Sequence, residues 1–374
     1  MSDELEATRA LIDRWGWNAT AYQILNPGIA RWFSARGDAV VGYVTHGRYR
    51  IVAGSPICDL ARLAAVIEEF ETDSRRLGRF TCYFAADERL ARHLERRGPL
   101  DRILLGAQPV WDPAVWPDIL KSKASLRAQL NRATNKKVQV LRWKSEAAAD
   151  HEELHRCLEE WLETRGLPAL HFLVEPETLG RIYDRRVYVA EQIFDKRGDD
   201  KRGDDKHGDD KRSEVVGFLV ASPVPQRNGW LIEQFVRGHG APNGTTELML
   251  DAAFRDLAEL GASYVTLGLS PLSRRADVQA PPQPLWIRLL LGWIRAHGRR
   301  FYNFDGLDAF KAKFLPQTWE PIYAITSERR VGLGTLWAIS GAFGKMSPPK
   351  LMVLAVLRGA AKELHWLRRR FTRP

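Results

Sequence analysis

Short apolar runs and stretches of helical periodicity follow one another along this chain in an order that is met twice. After an opening helix over Leu5–Trp15, two strand-like runs begin at Ala39 (AVVGYV) and Tyr49 (YRIVAG), joined by a tight turn at His46 and Gly47. An amphipathic helix over Leu60–Leu77, a strand over Phe80–Phe84, a helix over Ala86–Arg97 stopped by Gly98 and Pro99, and a strand over Arg102–Val110 complete a β-β-α-β-α-β series by about residue 115. A basic helix over Ser125–Lys137, the strand Val138–Trp143 and a helix over Ala147–Thr164 then lead into a hairpin of Val187–Phe194 with Val215–Pro223. A strand over Trp230–Arg237, a helix from about Gly244 and a strand from Tyr264 repeat the plan of hairpin, strand, helix, strand. Such a chain predicts α/β architecture in two tandem units, each a mixed sheet flanked by helices.

Charge narrows the choice of partner. The 374 residues carry a formal net charge of +10 and a pI near 9.6, which favours polyanions such as nucleic acid, an anionic membrane or phosphorylated small molecules. Cys58, Cys82 and Cys157 are far apart and odd in number, so neither a disulfide framework nor a zinc site is expected, and no metal is assigned. The start lacks a basic segment followed by an apolar core, and no run approaches the roughly 18 apolar residues that cross a bilayer. The expectation is a soluble or peripheral protein in a reducing cytoplasm.

Three segments stand outside the repeated plan. Asp195–Arg212 (DKRGDDKRGDDKHGDDKR) has no apolar side chain to bury and is expected to be a disordered loop inside the second hairpin. Residues 336–374 read as a basic amphipathic tail, fit either for a membrane surface or for packing on the domain. Pro284–Arg300 (PLWIRLLLGWIRAHGRR) has a wide apolar face with interspersed arginines, fit either for the core or for a lipid-facing role. The expected divisions are therefore 1–115, 116–335 and 336–374.

Candidate chemistry gathers at a strand-to-helix junction, WLIEQFVRGHGAPNGTTELML (Trp230–Leu250). Strand ends with free N–H groups and the following helix N-terminus can hold an acyl carbonyl and a phosphate. Here the turn contains Pro242, which has no N–H, and Asn243–Gly244, which accept left-handed backbone, so it makes a poor cradle for the pyrophosphate of coenzyme A. Glu233 and Arg237 lie four apart on one strand, readable as an ion pair or as separate substrate contacts, and Glu247 falls in the first turn of the helix. Downstream lie LGLSPLS (Leu267–Ser273), containing Ser270, and YNFDGLDAFKAKFLPQTWE (Tyr302–Glu320). In the latter, Gly306 is expected to turn the chain and AFKAKF to form a short helix with Lys311 and Lys313 on different faces. Lys121–Leu141 bears Arg127, Arg132, Lys136 and Lys137 with no acid, as a helix tracking phosphates or a solvated helix face would.

These segments resemble the C-terminal catalytic domain of the lysyl-phosphatidylglycerol synthase family. The resemblance rests on the RxxxAPxG pattern at Arg237–Gly244 and on Tyr302, Phe304, Gly306, Leu307, Phe310, Lys311, Lys313, Phe314, Pro316, Trp319, Glu320 and Pro321, with one extra residue at Gln317–Thr318. WGWNATAYQILNPGIARWF (Trp15–Phe33) and the chain from there to Cys58 look like the family's non-catalytic first unit. The resemblance implies two tandem acyltransferase folds of the GCN5-related (GNAT) type, and transfer of an aminoacyl group, lysine or alanine, from tRNA to a lipid hydroxyl, with phosphatidylglycerol the expected acceptor. It implies a peripheral enzyme at the inner face of the cytoplasmic membrane that uses aminoacyl-tRNA as donor and no cofactor, and, without the family's flippase segment, transfer alone. The roles then open are Glu247, Glu233, His239 or a group on the substrate as base; Arg237, Asn243, Gly244, Lys311, Lys313, Tyr302 and Ser270 as substrate contacts; and Arg127, Arg132, Lys136 and Lys137 as tRNA contacts. The alternatives are a CoA-dependent N-acyltransferase on the same fold and an inert basic protein that binds membrane or RNA.

Overall fold

The computed structural model describes residues 3–98, 101–164, 171–174, 178–181, 184–194, 212–276, 284–297, 303–328 and 331–344. The charged insert over 195–211, Tyr302 and the tail from 345 onward lie outside the described residues.

In the first unit, helix α1 (Asp3–Trp15) precedes strands β1 (Ala30–Phe33), β2 (Val40–His46) and β3 (Tyr49–Ala53). Helix α2 (Leu63–Arg76) crosses over to β4 (Phe80–Ala86), which lies parallel to β3. Helix α3 (Glu88–Glu95) starts where the Asp87 carboxylate accepts the Leu90 N–H, and β5 (Arg102–Trp111) follows. The second unit opens with α4 (Trp116–Ser122), α5 (Ala124–Asn135) and β6 (Val138–Trp143). The single helix expected over Ala147–Thr164 is two, α6 (Ser145–Ala149) and α7 (Glu152–Thr164), because Asp150 leaves helical geometry. Strands β7 (Arg186–Phe194), β8 (Arg212–Val224) and β9 (Gly229–Arg237) form an antiparallel meander. Helix α8 (Thr245–Glu259) then crosses over to β10 (Tyr264–Thr266), parallel to β9. The chain continues through β11 (Ser270–Pro271), α9 (Leu285–His297), α10 (Phe304–Ala312), β12 (Thr318–Thr326) and α11 (Leu333–Gly344).

All strands join one sheet in the order β1-β2-β3-β4-β12-β5-β10-β9-β8-β7-β6, with β11 paired to β5. The two halves mirror each other. The first has two antiparallel steps and the second three, each followed by a parallel step spanned by a crossover helix: β3 with β4 around α2, and β9 with β10 around α8. These are the two tandem GNAT-type units expected, and they exchange strands at the centre. β5, from the first unit, borders β10 of the second; β12, from the end of the second, lies between β4 and β5. The first unit's sheet is therefore not closed by residue 115.

Strand β12 falls where no element is expected from the sequence, and it holds a proline, Pro321, within its span. The structure accommodates both central prolines at gaps on the neighbouring edge. Pro321 precedes Tyr323, the first β12 residue paired with β4, and Pro109 lies between the β5 residues paired with β11 and those paired with β10. Neither missing N–H costs a ladder bond there.

A buried polar network also joins the units. The Arg185 guanidinium, fully buried, meets the Glu233 carboxylate at 2.5 Å, and Ser222 Oγ donates to the same oxygen. From the first unit, Gln23 Nε2 donates to Glu233 at 3.2 Å, Asn26 Oδ1 accepts from Arg185 at 3.3 Å, and the Tyr22 ring lies 4.9 Å below the guanidinium. Of the two readings open to Glu233 and Arg237, the ion pair between them is not realised. Its reason is a β-bulge: Val220 faces Gln234 and Ala221 faces Ile232, so Glu233 is the extra residue and turns toward Arg185. Part of the 336–374 segment belongs to the first unit's core, with Ala338, Ala342 and Phe343 of α11 packed in the cluster that holds Phe84 and Phe172. Removing one member of a buried ion pair strands the other charge, so Glu233→Ala should lower unfolding free energy by about 3 kcal/mol or more in urea titration. A midpoint equal to wild type would contradict this account of how the units are held.

Candidate active site at the parting of two strands

The parallel pairing of β9 with β10 covers only Gly229–Leu231 against Tyr264–Thr266. Beyond it β9 runs on to Arg237, while the other chain leaves the ladder at Leu267 to reach β11. A wedge opens between them, with backbone groups of both strands no longer paired to each other.

Helix α10 lies across the wedge and touches both sides of it. Asn303 caps the helix by accepting the Gly306 N–H at 2.9 Å, so Gly306 sits in the first turn and does not reverse the chain as expected. The Phe310 ring packs 5.6 Å from that of Phe235 on β9. Phe314 takes the Trp111 indole N–H on its carbonyl at 2.9 Å. One lysine of the FKAKF run faces inward and the other faces the cleft, as the two-residue spacing predicts.

Lys311 is 3% exposed, and its Nζ donates to the carbonyls of Gly268 and Leu269 at 2.9 Å each. Burial lowers its pKa to about 7, with Asp308 pulling the other way. Charged or neutral, the amine has the two N–H groups that these two carbonyls accept. It thereby clamps α10 to the chain leaving β10. Next to those carbonyls, Ser270 is buried and its Oγ has no protein partner, and Asp308, paired with Arg275 through Oδ2 at 2.8 Å, leaves Oδ1 buried and unpartnered.

Lys313 Nζ reaches Glu247 Oε1 on α8 at 2.6 Å and lies 4.3 Å from the centre of the Phe310 ring. The Lys313 side chain is one-third exposed, whereas Glu247 is almost covered. A cation on an aromatic floor, oriented by a carboxylate, can meet a phosphate or a developing oxyanion.

The turn between β9 and α8 is held by Arg237. One guanidinium nitrogen donates to the Ala241 carbonyl at 2.6 Å and to Asn243 Oδ1 at 3.2 Å. Gly244 precedes α8 with φ +95°, and a Cβ there would come within 2.1 Å of the Gln129 carbonyl of α5. Only glycine permits that approach. The expected basic helix thus crosses the start of α8. Its Arg132, Lys136 and Lys137 are exposed; Arg127 is also exposed but donates to the carbonyls of Leu120 and Lys121 at 2.6 Å each, closing the end of α4.

The structure brings Glu247 and Lys313 together, with Arg237, Asn243 and Gly244 at one end of α8 and Ser270 and Lys311 across the wedge. Two expected bases stand apart. Glu233 is engaged in the network with Arg185, and His239 is exposed toward α7, its backbone N–H on Glu160 at 2.7 Å. Arg185 escaped the sequence reading because its partners come from Gln23, Asn26, Ser222 and Glu233, and no local spacing marks such a meeting. Asp308 stood in plain view in the motif; its three-residue spacing from Lys311 was the available signal. A cavity of about 460 Å³, lined by His46, Tyr49, Phe80, Glu328 and Trp337, lies on the first unit and is separate from this wedge.

Comparison with known proteins agrees with this architecture. The chain is 24% identical over 349 residues to the phosphatidylglycerol lysyltransferase of Bacillus subtilis, spanning 91% of itself but only 37% of that relative. It superposes on the solved L-PGS from Bacillus licheniformis with a TM-score of 0.69 at 19% identity, covering 91% of this chain and 97% of the other. A structure described as the C-terminal domain of a candidate lysylphosphatidylglycerol synthetase from Agrobacterium fabrum gives 0.71 at 22% identity, over 92% and 98%. These two likenesses establish the shared fold. The family model described as phosphatidylglycerol lysyltransferase, C-terminal, matches residues 9–326, and the chain belongs to that family.

Proposed function

We propose that this protein transfers an aminoacyl group, lysine or alanine, from aminoacyl-tRNA to the glycerol hydroxyl of phosphatidylglycerol at the inner face of the cytoplasmic membrane. Family membership supports the reaction class. The observation that carries the reading is the Glu247–Lys313 pair beside the parted strands β9 and β10. In the proposed reaction the lipid hydroxyl oxygen attacks the ester carbonyl carbon and gives its proton to Glu247. The C–O bond to the tRNA ribose breaks, and that oxygen leaves with a proton. Lys313 neutralises charge on the carbonyl oxygen or on the lipid phosphate. One ester replaces another, so the exchange needs neither metal nor nucleoside triphosphate. Lys311, held by two carbonyls, positions α10.

A donor with a pyrophosphate arm is disfavoured at this turn. Pro242 offers no N–H and the Gln129 carbonyl packs against Gly244, so this turn has one donor fewer than an all-glycine turn and an acceptor oxygen close by. The basic face of α5 beside the same turn supports a polyanion arriving from that side, and the net charge of +10 agrees.

Lys313→Ala should cut single-turnover transfer from labelled aminoacyl-tRNA to phosphatidylglycerol vesicles about 100-fold in protein shown by circular dichroism to be folded at the assay temperature; a wild-type rate would remove Lys313 from the reaction. Arg132→Gln, Lys136→Gln and Lys137→Gln combined should weaken tRNA binding and lower the slope of log affinity against log salt by about one for each phosphate no longer neutralised. An unchanged slope would show that α5 does not track RNA. The Lys311 pKa is depressed in the folded state, so between about pH 7 and 10 the unfolded chain binds more protons and stability rises with pH. The stability difference between wild type and Lys311→Met should therefore grow with pH across that window, at up to about 1.4 kcal/mol per unit. A flat difference would mean the buried amine keeps its charge.

A further inference from the structure

We propose that the outer face of α9 is the surface on which this protein docks to an anionic phospholipid bilayer, lying in the headgroup layer with its axis along the membrane. The inference rests on the lipid acceptor proposed above and identifies which part of the molecule meets the lipid phase.

Helix α9, LWIRLLLGWIRAH, has apolar side chains on two faces and no acid. Its inner face is accounted for: Ile287 is 1% exposed and Leu291 packs with it in the cluster that holds Phe172 and Leu173. Its outer face is exposed. Leu285 is 67% exposed, Leu289 65%, Trp293 53% and Trp286 41%. At about 100° per residue these four fall within roughly a quarter-turn to a third of the circumference. Single exposed leucines are ordinary, but four large side chains in one stripe are a surface with a purpose. Indole suits the boundary between headgroups and acyl chains.

Charge selects the occupant. Arg288, which is exposed, lies at one edge of the stripe; Arg295, two turns further along the same edge, is engaged by Asp305. A cationic edge along an apolar stripe matches phosphate headgroups above acyl chains, and a protein of net charge +10 is drawn to an anionic leaflet.

The placement also serves the reaction. Arg295 is bonded to Asp305 in the first turn of α10 at 2.6 and 3.0 Å, and to the Leu272 carbonyl at 3.2 Å. From Asp305 to Lys313 the path along α10 is about 12 Å. A helix lying at headgroup depth thus holds the proposed acceptor's phosphate level near the Lys313 ammonium.

The test uses the whole chain and vesicles of equal parts phosphatidylglycerol and phosphatidylcholine. Leu285→Ser with Leu289→Ser should weaken co-sedimentation about tenfold or more. Leu60→Ser with Leu77→Ser, which alters two comparably exposed leucines of the first unit, should leave it unchanged. The α9 variant should lose transfer to vesicle-borne lipid yet keep transfer to a short-chain, water-soluble phosphatidylglycerol within about twofold. If wild type transfers to neither acceptor, the proposed reaction fails while the sedimentation result still judges α9. Unchanged vesicle binding by the α9 variant overturns the proposal. So does equal loss in the Leu60/Leu77 control, and so does conversion of an oligomer to monomer with vesicle binding intact, which would mark the face as a contact between copies.

Discussion

Strand β12 lies between β4 and β5, and the relation of the two halves depends on that pairing. Residues more than 200 positions apart are held in register from Thr318–Val110 to Ile325–Arg102 along one edge and from Tyr323–Ala86 to Thr326–Cys82 along the other. The helix immediately before β12 carries Lys311 and leads directly into Lys313, so the depth of α10 in the wedge is fixed by where its following strand is locked. Glu320, in the same strand, adds a clamp: Arg227 grips it with both terminal nitrogens, at 2.5 and 2.9 Å, and lies 3.6 Å over the Tyr264 ring. The first unit's role is set by this sharing. It supplies half of the sheet on which the second unit's wedge is built.

The two lysines of one motif divide the work because burial and spacing give them different surroundings. Lys311 has exchanged water for two carbonyls, and a buried amine in that position is worth more as a two-donor clamp than as a charge. Lys313 keeps contact with solvent and with Glu247, so its charge stays available to a ligand. At the opposite side of the wedge, α5 approaches Gly244 closely and leaves the exposed Arg132, Lys136 and Lys137 beside the turn.

Much of this was legible in the sequence. The doubled order of hairpin, strand, helix and strand came from apolar periodicity and turn residues, and the α10 motif and the Pro242–Gly244 turn marked the site. What was hidden depends on partners distant in sequence. Strand β12 carried no such signal, and its Pro321 is tolerated because it lies opposite a ladder gap. Glu233 and Arg237 were readable as a pair at a spacing of four, but a single bulge residue turned Glu233 to the other side, where Arg185 and first-unit side chains met it. Alternation along a strand predicts faces only while the ladder is regular. Gly306 looked like a turn because glycine punctuates, while Asn303, the true boundary, is an ordinary helix cap.

The central claim is that the wedge between β9 and β10 serves an RNA-borne ester and a lipid hydroxyl. Wild-type protein mixed with radiolabelled aminoacyl-tRNA and phosphatidylglycerol vesicles tests it directly, by extraction and mass analysis of the lipid phase. The account predicts label in an aminoacylated phospholipid, formed in a single turnover and without coenzyme A. Label that remains on tRNA or appears only as free amino acid, while the protein still binds both RNA and vesicles, would contradict it.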